Sequence, residues 1–282
     1  MASNRAHGGE ASDAQRTPVV RLVARPVEKP WGRKVIPAPF TGVACRHRIG
    51  EIRFEAPDGE PLPLLVKYIF TSAKLSVQVH PDDAQARARG LPNGKSECWY
   101  ILDADPGARI GLGFVRPVDG EAVARSAVDG SIEGLIGWRP VHVGDVFCVP
   151  ARTVHTIGAG IALVEVQQHS DATYRLYDYE RERALHLHDA VAVASLEPYP
   201  AGLASHVGED ESGGCAPGSG FEMEHVPADG LVEAMAGRDR WVLPLTGQIE
   251  AAGEIGRPGE CLLLAPGAKL SGRGRLLIAA VA

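Results

Sequence analysis

The sequence predicts an all-β protein of short strands with small helical insertions, followed by a second, smaller β-domain. Three observations predict it. Apolar residues recur at a period of two in one segment after another, as in IGEIRFE, LSVQVH, ECWYIL and LVEVQQ, and a period of two is that of a strand. The 33 glycines and 21 prolines interrupt the 282 residues at short intervals, which favours many turns over long helices. After EDESGGCAPGSG the same short apolar patterns resume. A hydrophobic content of 45% and a charged content of 23% are those of a soluble globular protein. The length suits one large domain or two smaller ones.

Taken in order, residues 1–17 are small and polar and are expected to form a disordered tail. VVRLVARPVEKPWG reads as a strand followed by a turn at Lys29 to Gly32, with Trp31 packed on the body of the fold. IGEIRFEAPDGEPLPLLVKYIF gives two strands flanking a D-G turn, the second of them buried along Leu64 to Phe70. PDDAQARARG is a short helix, its acidic first turn favourable to the dipole and Gly90 ending it. Glu97 to Leu102 is a strand, followed by a D-P-G turn and the strand RIGLGF. Glu121 to Trp138 has the spacing of two small helices. VHVGDVFCVPARTVHTIGAGIALVEVQQ reads as strand, tight turn, strand, and HSDATYRLYDYER continues it with Thr173, Arg175 and Tyr177 on one face. ALHLHDAVAVASL is a strand or loop and then a helix, with His186 and His188 in structural roles. The expected division is 18–200 as the first domain, 201–220 as a linker and 221–282 as a C-terminal β-domain built from FEMEHV, RWVLPLTG, QIEAAG, CLLLAP and RLLIAAV.

Composition also excludes function classes. A net charge of −6 argues against a general nucleic-acid binder, without excluding an anionic substrate held by a local field. The start lacks an apolar signal region and no apolar run approaches membrane-spanning length, so the expected location is cytoplasmic. The five cysteines form no CxxC pair, and Cys98 and Cys148 sit in apolar strand patterns as reduced core thiols. The C-terminal part offers only His225 as a potential ligand and is assigned no chemistry; covering a sheet edge or self-association into a homodimer are its two candidate roles.

The chemistry concentrates between Leu75 and Glu97. Ser76, Gln78 and His80 alternate with Leu75, Val77 and Val79, and Lys95, Glu97 and Trp99 share a face of the next strand pattern. His155 follows a strand and a proline turn much later. If the first two strands are neighbours, a histidine, a carboxylate, an amide and an ammonium converge. Singly, each residue is more ordinary as a hydrogen-bonded histidine or a salt bridge. As a set they would bury polar groups without partners, unless His80, Glu97 and His155 bind a divalent ion such as zinc.

QVHPDD, GKSECWYIL, VGDVFCVPARTVHTIGAGI and VEVQQHSDATYRLYDYER, in this order, resemble the class I phosphomannose isomerases, in particular the short bacterial form, and EKPWG extends the likeness from about Arg21 to about His188. The resemblance implies a cupin jelly-roll barrel, a degenerate cupin-like C-terminal domain, one zinc ion per chain and a sugar-phosphate substrate, with interconversion of mannose 6-phosphate and fructose 6-phosphate. It implies Gln78 as a fourth ligand through its amide oxygen. Arg175 matches the arginine beside the reacting carbons, its alternative being an ion pair with Asp178 or Glu180. Ser76 and Lys95 match polar positions of the substrate pocket. Lys95 and Glu165 are competing candidates for the catalytic base, Glu165 and Gln167 alternating on one strand face. Glu180, after YDY, stands where the family usually has a small residue. Two rival readings are a ferrous-iron cupin oxygenase, which would use the same two histidines and carboxylate, and a non-catalytic sugar-phosphate-binding cupin.

Overall fold

The computed structural model describes residues 17–40, 46–218 and 220–282, so the expected tail, Thr17 apart, and Cys45 lie outside the described residues. The first strands are β1 (Val19–Arg21), β2 (Val23–Arg33), β3 (Ile49–Glu55), β4 (Leu64–Phe70) and β5 (Val77–Val79); after the short helix α1 (Asp83–Arg87) come β6 (Glu97–Ala104) and β7 (Arg109–Phe114). Helix α2 (Gly120–Asp129) precedes β8 (Ile136–Pro140), β9 (Asp145–Val149), β10 (His155–Ile157), β11 (Ile161–Gln168) and β12 (Tyr174–Tyr177). Helix α3 (Leu187–Val193) leads to β13 (Ala204–His206), β14 (Gly213–Cys215), β15 (Phe221–Leu231), β16 (Arg240–Pro244), β17 (Gln248–Ala251), β18 (Glu254–Gly256), β19 (Leu262–Leu264) and β20 (Leu270–Val281). No helix among the described residues is long and apolar enough to cross a membrane.

Among the described residues the strands form three antiparallel sheets. A seven-stranded sheet has the order β13-β9-β6-β11-β4-β3-β2, and a five-stranded sheet the order β12-β5-β10-β7-β8. The third has the order β1-β19-β16-β20-β15-β14, with β17 and β18 attached. The seven-stranded sheet lies in the middle. One of its faces packs Ile69, Trp99, Ile101, Phe147 and Leu163 against Leu75, Ile110, Leu112 and Ile157 of the five-stranded side. The other packs Phe54, Tyr68, Tyr100 and Val164 against Trp241, Leu243, Leu263 and Leu277 of the C-terminal sheet. Burial on both faces is why LLVKYIF is a nearly continuous apolar run. The result is the all-β arrangement that the patterns predict, with a β-sheet at the C-terminus.

Several elements differ from expectation. Residues 29–32 are not a turn: β2 runs on to Arg33 through register shifts after Val27 and after Glu28, and Trp31 is buried. Of the two helices expected over 121–138, α2 forms, with Asp119 as its N-cap and left-handed Gly130 at its end, and a 3-10 turn follows at Ser131–Gly134. The rest is β8, paired with β7. Apolar Ile132 and Ile136 satisfy a helical spacing and fill the same core cluster, Ile132 from the 3-10 turn and Ile136 from β8, where pairing with β7 prevails over local periodicity. Residues 201–220 contain β13, which extends the central sheet, and β14, which joins the C-terminal sheet; β1 joins that sheet as well.

Candidate metal and substrate site

Strands β5 and β6 are not neighbours. They lie in opposite sheets, and the polar residues meet across the sandwich. The connection between them is short and braced. Asp82 and Gln85 cap α1 reciprocally, Gly94 N–H donates to Asp83 Oδ1 at 2.8 Å, and Lys95 N–H donates to the Pro81 carbonyl at 3.0 Å. A Cβ on Gly94 would lie 2.5 Å from the Pro81 oxygen, so only glycine lets these two stretches touch. This brings Lys95 and Glu97 back under His80. His155 enters from β10, directly opposite Gln78 of β5.

The ligating atoms of His80, Glu97 and His155 all lie within 4.8 Å of one another, in three buried residues. His80 Nδ1 is 2.8 Å from the Ala172 carbonyl and His155 Nδ1 is 2.8 Å from the Thr153 carbonyl. A carbonyl can only accept, so each Nδ1 carries the proton and each Nε2 presents a lone pair to the centre. Burial pushes His80 down to about 3 and lowers His155 as well, so both are neutral. Burial, the largest single effect, acts to raise Glu97, but the Lys95 ammonium together with the contacts to His80 and His155 outweighs it and holds the carboxyl well below the usual range. His80 Nε2 and Glu97 Oε1 are thus two acceptors only 3.2 Å apart. Such a contact is stable only beside a cation, and Lys95 Nζ lies 3.0 Å from the one and 2.6 Å from the other. Two neutral imidazoles with inward lone pairs and an ionised carboxylate fit a divalent cation. Gln78 points its amide nitrogen at His155 Nε2, 3.2 Å away, and accepts from Ser76 Oγ with its oxygen at 3.1 Å. Ligation through that oxygen requires the amide to be reversed.

Of these residues Gln78, Lys95 and His155 line a cavity of about 350 Å³, a size suited to a small molecule, whereas His80 and Glu97 do not reach its wall. Its lining includes Ser76, Gln78, Lys95, His155, Glu165 and Arg175. Most charges on its walls are paired. Glu51 meets Lys29 at 3.1 Å and Arg53 at 2.7 Å, and Lys67 meets Glu165 at 2.6 Å. Trp99 Nε1 donates to both Glu97, at 3.1 Å, and Glu165, at 3.0 Å, tying the two carboxylates together. Burial and then the nearby Glu97 charge raise Glu165 above the ordinary carboxylate value. Gln167 lines the cavity too, but its amide nitrogen is committed to the carbonyls of Gln168 and Ser170.

Arg175 is the exception among the cavity arginines. Asp178, its expected partner, is taken by Arg181 at 2.9 Å and by Arg183 in two short bonds. Arg175 Nε is buried with no partner, and burial and then the Arg183 charge lower its pKa. It lies directly opposite Gln78 on the adjoining strand, on the side away from His155. Tyr177 does not share its face. The register shifts between Arg175 and Tyr177, and Tyr177 packs instead with the core beneath α2 and α3. His186, expected in a structural role, lines the cavity, and its Nδ1 accepts from the Arg175 backbone N–H at 3.2 Å. Sequence reasoning also passed over Lys67, Glu51 and Arg53 as wall residues. A lysine inside the apolar run LLVKYIF, and a glutamate and an arginine alternating in GEIRFE, are the signals that mark them.

The protonation states give a pH prediction. Below about 6.5 the unfolded chain takes up a proton on His80 that the folded chain refuses until about pH 3, so the stability owed to this shift is present above pH 6.5 and is lost as pH falls through that window. In chelator-treated protein, the urea midpoint should drop further between about pH 7.5 and about pH 5.5 for wild type than for His80→Ala. Equal drops would show that His80 titrates normally in the folded state.

No protein-family model matches the chain. It is similar to the mannose-6-phosphate isomerase of Streptococcus mutans, 41% identical over 140 residues, which are 48% of this chain and 44% of that protein. It is also similar to mannose-6-phosphate isomerase ManA of Bacillus subtilis, 39% identical over 162 residues, 55% of this chain and 50% of that one. The matches thus span about half the length of these relatives. In fold, the mannose 6-phosphate isomerase structure from Bacillus subtilis superposes with a TM-score of 0.76 at 24% identity, covering 94% of this chain and all of that one. A mutant phosphomannose isomerase from Salmonella typhimurium gives 0.71 at 16% identity, again over 94% of this chain. The resemblance in the motifs is therefore present in sequence over about half of the chain and in fold over nearly all of it.

Proposed function

We propose that the chain is a zinc-dependent aldose–ketose isomerase that interconverts mannose 6-phosphate and fructose 6-phosphate. The observation that carries this reading is one point on which two imidazole lone pairs and a carboxylate converge beside the cavity that His155 lines, with Arg175, whose Nε is buried without a partner, on the wall of that cavity. The similarity to mannose-6-phosphate isomerases supports the same substrate.

The reaction moves a proton between C1 and C2 of the sugar through an enediol or enediolate, while the hydroxyl and carbonyl oxygens exchange a proton. His80, Glu97 and His155 would hold the ion, which when bound supplies a Lewis acid for a substrate oxygen. Arg175 faces the cavity with its charge unmatched by a carboxylate, and so is ready to meet negative charge developing on the sugar. Its guanidinium does this without giving up a proton. Lys95 and Glu165 are the two groups able to move the carbon-bound proton. Glu165 is suited by its raised pKa and Lys95 by its place against both His80 and Glu97. Ser76 fixes the Gln78 amide, and Gln78 spaces Arg175 from His155. The catalytic part is the segment 18–200, and 221–282, reached through 201–220, covers the outer face of its central sheet.

The buried Lys95 ammonium and the cavity arginine favour a sugar phosphate over the oxygenase reading, since neither cation is needed to activate dioxygen. Coupled detection of fructose 6-phosphate formed from mannose 6-phosphate, before and after chelation and after zinc is restored, tests the proposal. Activity that survives full chelation would remove the metal from the reaction. Oxygen consumption with iron would replace the isomerase by the oxygenase, and tight sugar-phosphate binding without turnover would leave a binding protein.

A further inference from the structure

A second cluster of ligand atoms lies on the other side of the central sheet. Cys98 on β6 sits directly opposite Cys148 on β9, and Cys215 comes from β14, 117 residues after Cys98. Neighbouring residues on a strand point to opposite faces, so Glu97 meets His80 and His155 while Cys98 looks toward the C-terminal sheet. The three sulfur atoms lie within 4.8 Å of one another, and all three cysteines are buried and free of disulfides. The approach of Cys215 depends on the two residues before it. A Cβ on Gly213 would lie 2.8 Å from Val207 Cγ2, and one on Gly214 would lie 2.1 Å from the Met223 oxygen. Two glycines therefore let this strand lie close enough to bring the third thiol to the other two.

A buried cysteine is ordinarily a small apolar filler. That explains the burial of each of these three, as it does of Cys261, which stands apart from them. It does not explain why sulfurs from three separate strands meet at one point. A disulfide would use two of them and leave the third without a role. We propose that Cys98, Cys148 and Cys215 form a three-thiolate site for a thiophilic d10 cation, Zn2+ or Cu+, pinning the C-terminal sheet, through its edge strand β14, to the central sheet. With metal–sulfur bonds of about 2.3 Å, three thiolates around one ion stand about 4 Å apart, so the sulfurs need only draw in slightly. Each thiol passes its proton to solvent as the ion binds, and no oxidant or reductant takes part. The site is separate from the two histidines and Glu97, and it neither needs nor tests the isomerase reading.

Cobalt(II) tests it, because thiolate-to-cobalt charge transfer absorbs in the near ultraviolet and imidazole or carboxylate ligation does not. In full-length, reduced, metal-stripped protein, cobalt should produce that band in wild type and in the His80→Ala, His155→Ala double variant alike. In Cys215→Ser and in Cys215→Ala the band should collapse while cobalt bound at the histidine cluster remains. Metal analysis of the double variant as purified then tells zinc from copper. No charge-transfer band in wild type with cobalt in excess overturns the proposal, whatever the variants do. So does a thiol count, taken after denaturation without reductant, that falls two short of the five in the sequence, since that is the mark of a disulfide.

Discussion

Replacing His80 or His155 with alanine is expected to remove the one equivalent of metal held by the histidine cluster and to lower isomerase activity more than about a hundredfold, the two losses going together. Even residues that only orient a metal ligand change affinity by roughly ten- to a hundredfold, and removing a ligand costs more. In either variant Glu97 keeps its contact with Lys95 at 2.6 Å, so its buried charge stays paired and the fold should survive. Circular dichroism and a thermal melt of the chelated proteins check that point. Metal content and fructose 6-phosphate formation then decide the assignment. Unchanged stoichiometric zinc in both variants would remove the two histidines as ligands.

Replacing Arg175 with alanine should lower kcat roughly a hundredfold or more while KM moves little, and bound metal should be unaffected. The geometry makes this sharper than the sequence could. The structural alternative was a pair with Asp178 or Glu180, but Arg181 and Arg183 already satisfy the Asp178 carboxylate. A buried guanidinium nitrogen without a partner gains nothing from the folded protein alone, so its loss should not reduce thermal stability. Lysine at this position should restore activity only in part, since a point charge cannot reproduce the planar fork. A variant that melts earlier but keeps its kcat would return Arg175 to a structural role and leave Lys95 as the principal electrostatic catalyst. A rise in KM with kcat unchanged would instead assign Arg175 to the phosphate.

The strand alternation in LSVQVHPDD and ECWYIL was enough to put Gln78 with His80, and Glu97 with Trp99, because a period of two is a local property of the backbone. The short helix in PDDAQARARG, with its acidic first turn, was legible for the same reason, as was the all-β class from the spacing of glycine and proline. What the chain could not disclose locally was which strands face one another. His80 and Glu97 meet across two sheets and not along one, a choice set by the hydrophobic faces of the whole sandwich. Ile132, Leu135 and Ile136 carried a helical spacing, yet from Ile136 on the chain became an edge strand, because β7 supplied a partner. Arg175 and Asp178 are three residues apart, near enough to suggest a pair, yet a register shift and the return of Arg183 decided otherwise. The convergence of Cys98, Cys148 and Cys215 was hidden altogether, since no spacing in the sequence relates residues that only long-range packing brings together. Residue type and strand period, which act over a few bonds, determined what chemistry this protein carries. Partner, orientation and charge balance at each group depend on contacts between distant segments, and only the tertiary structure decided those.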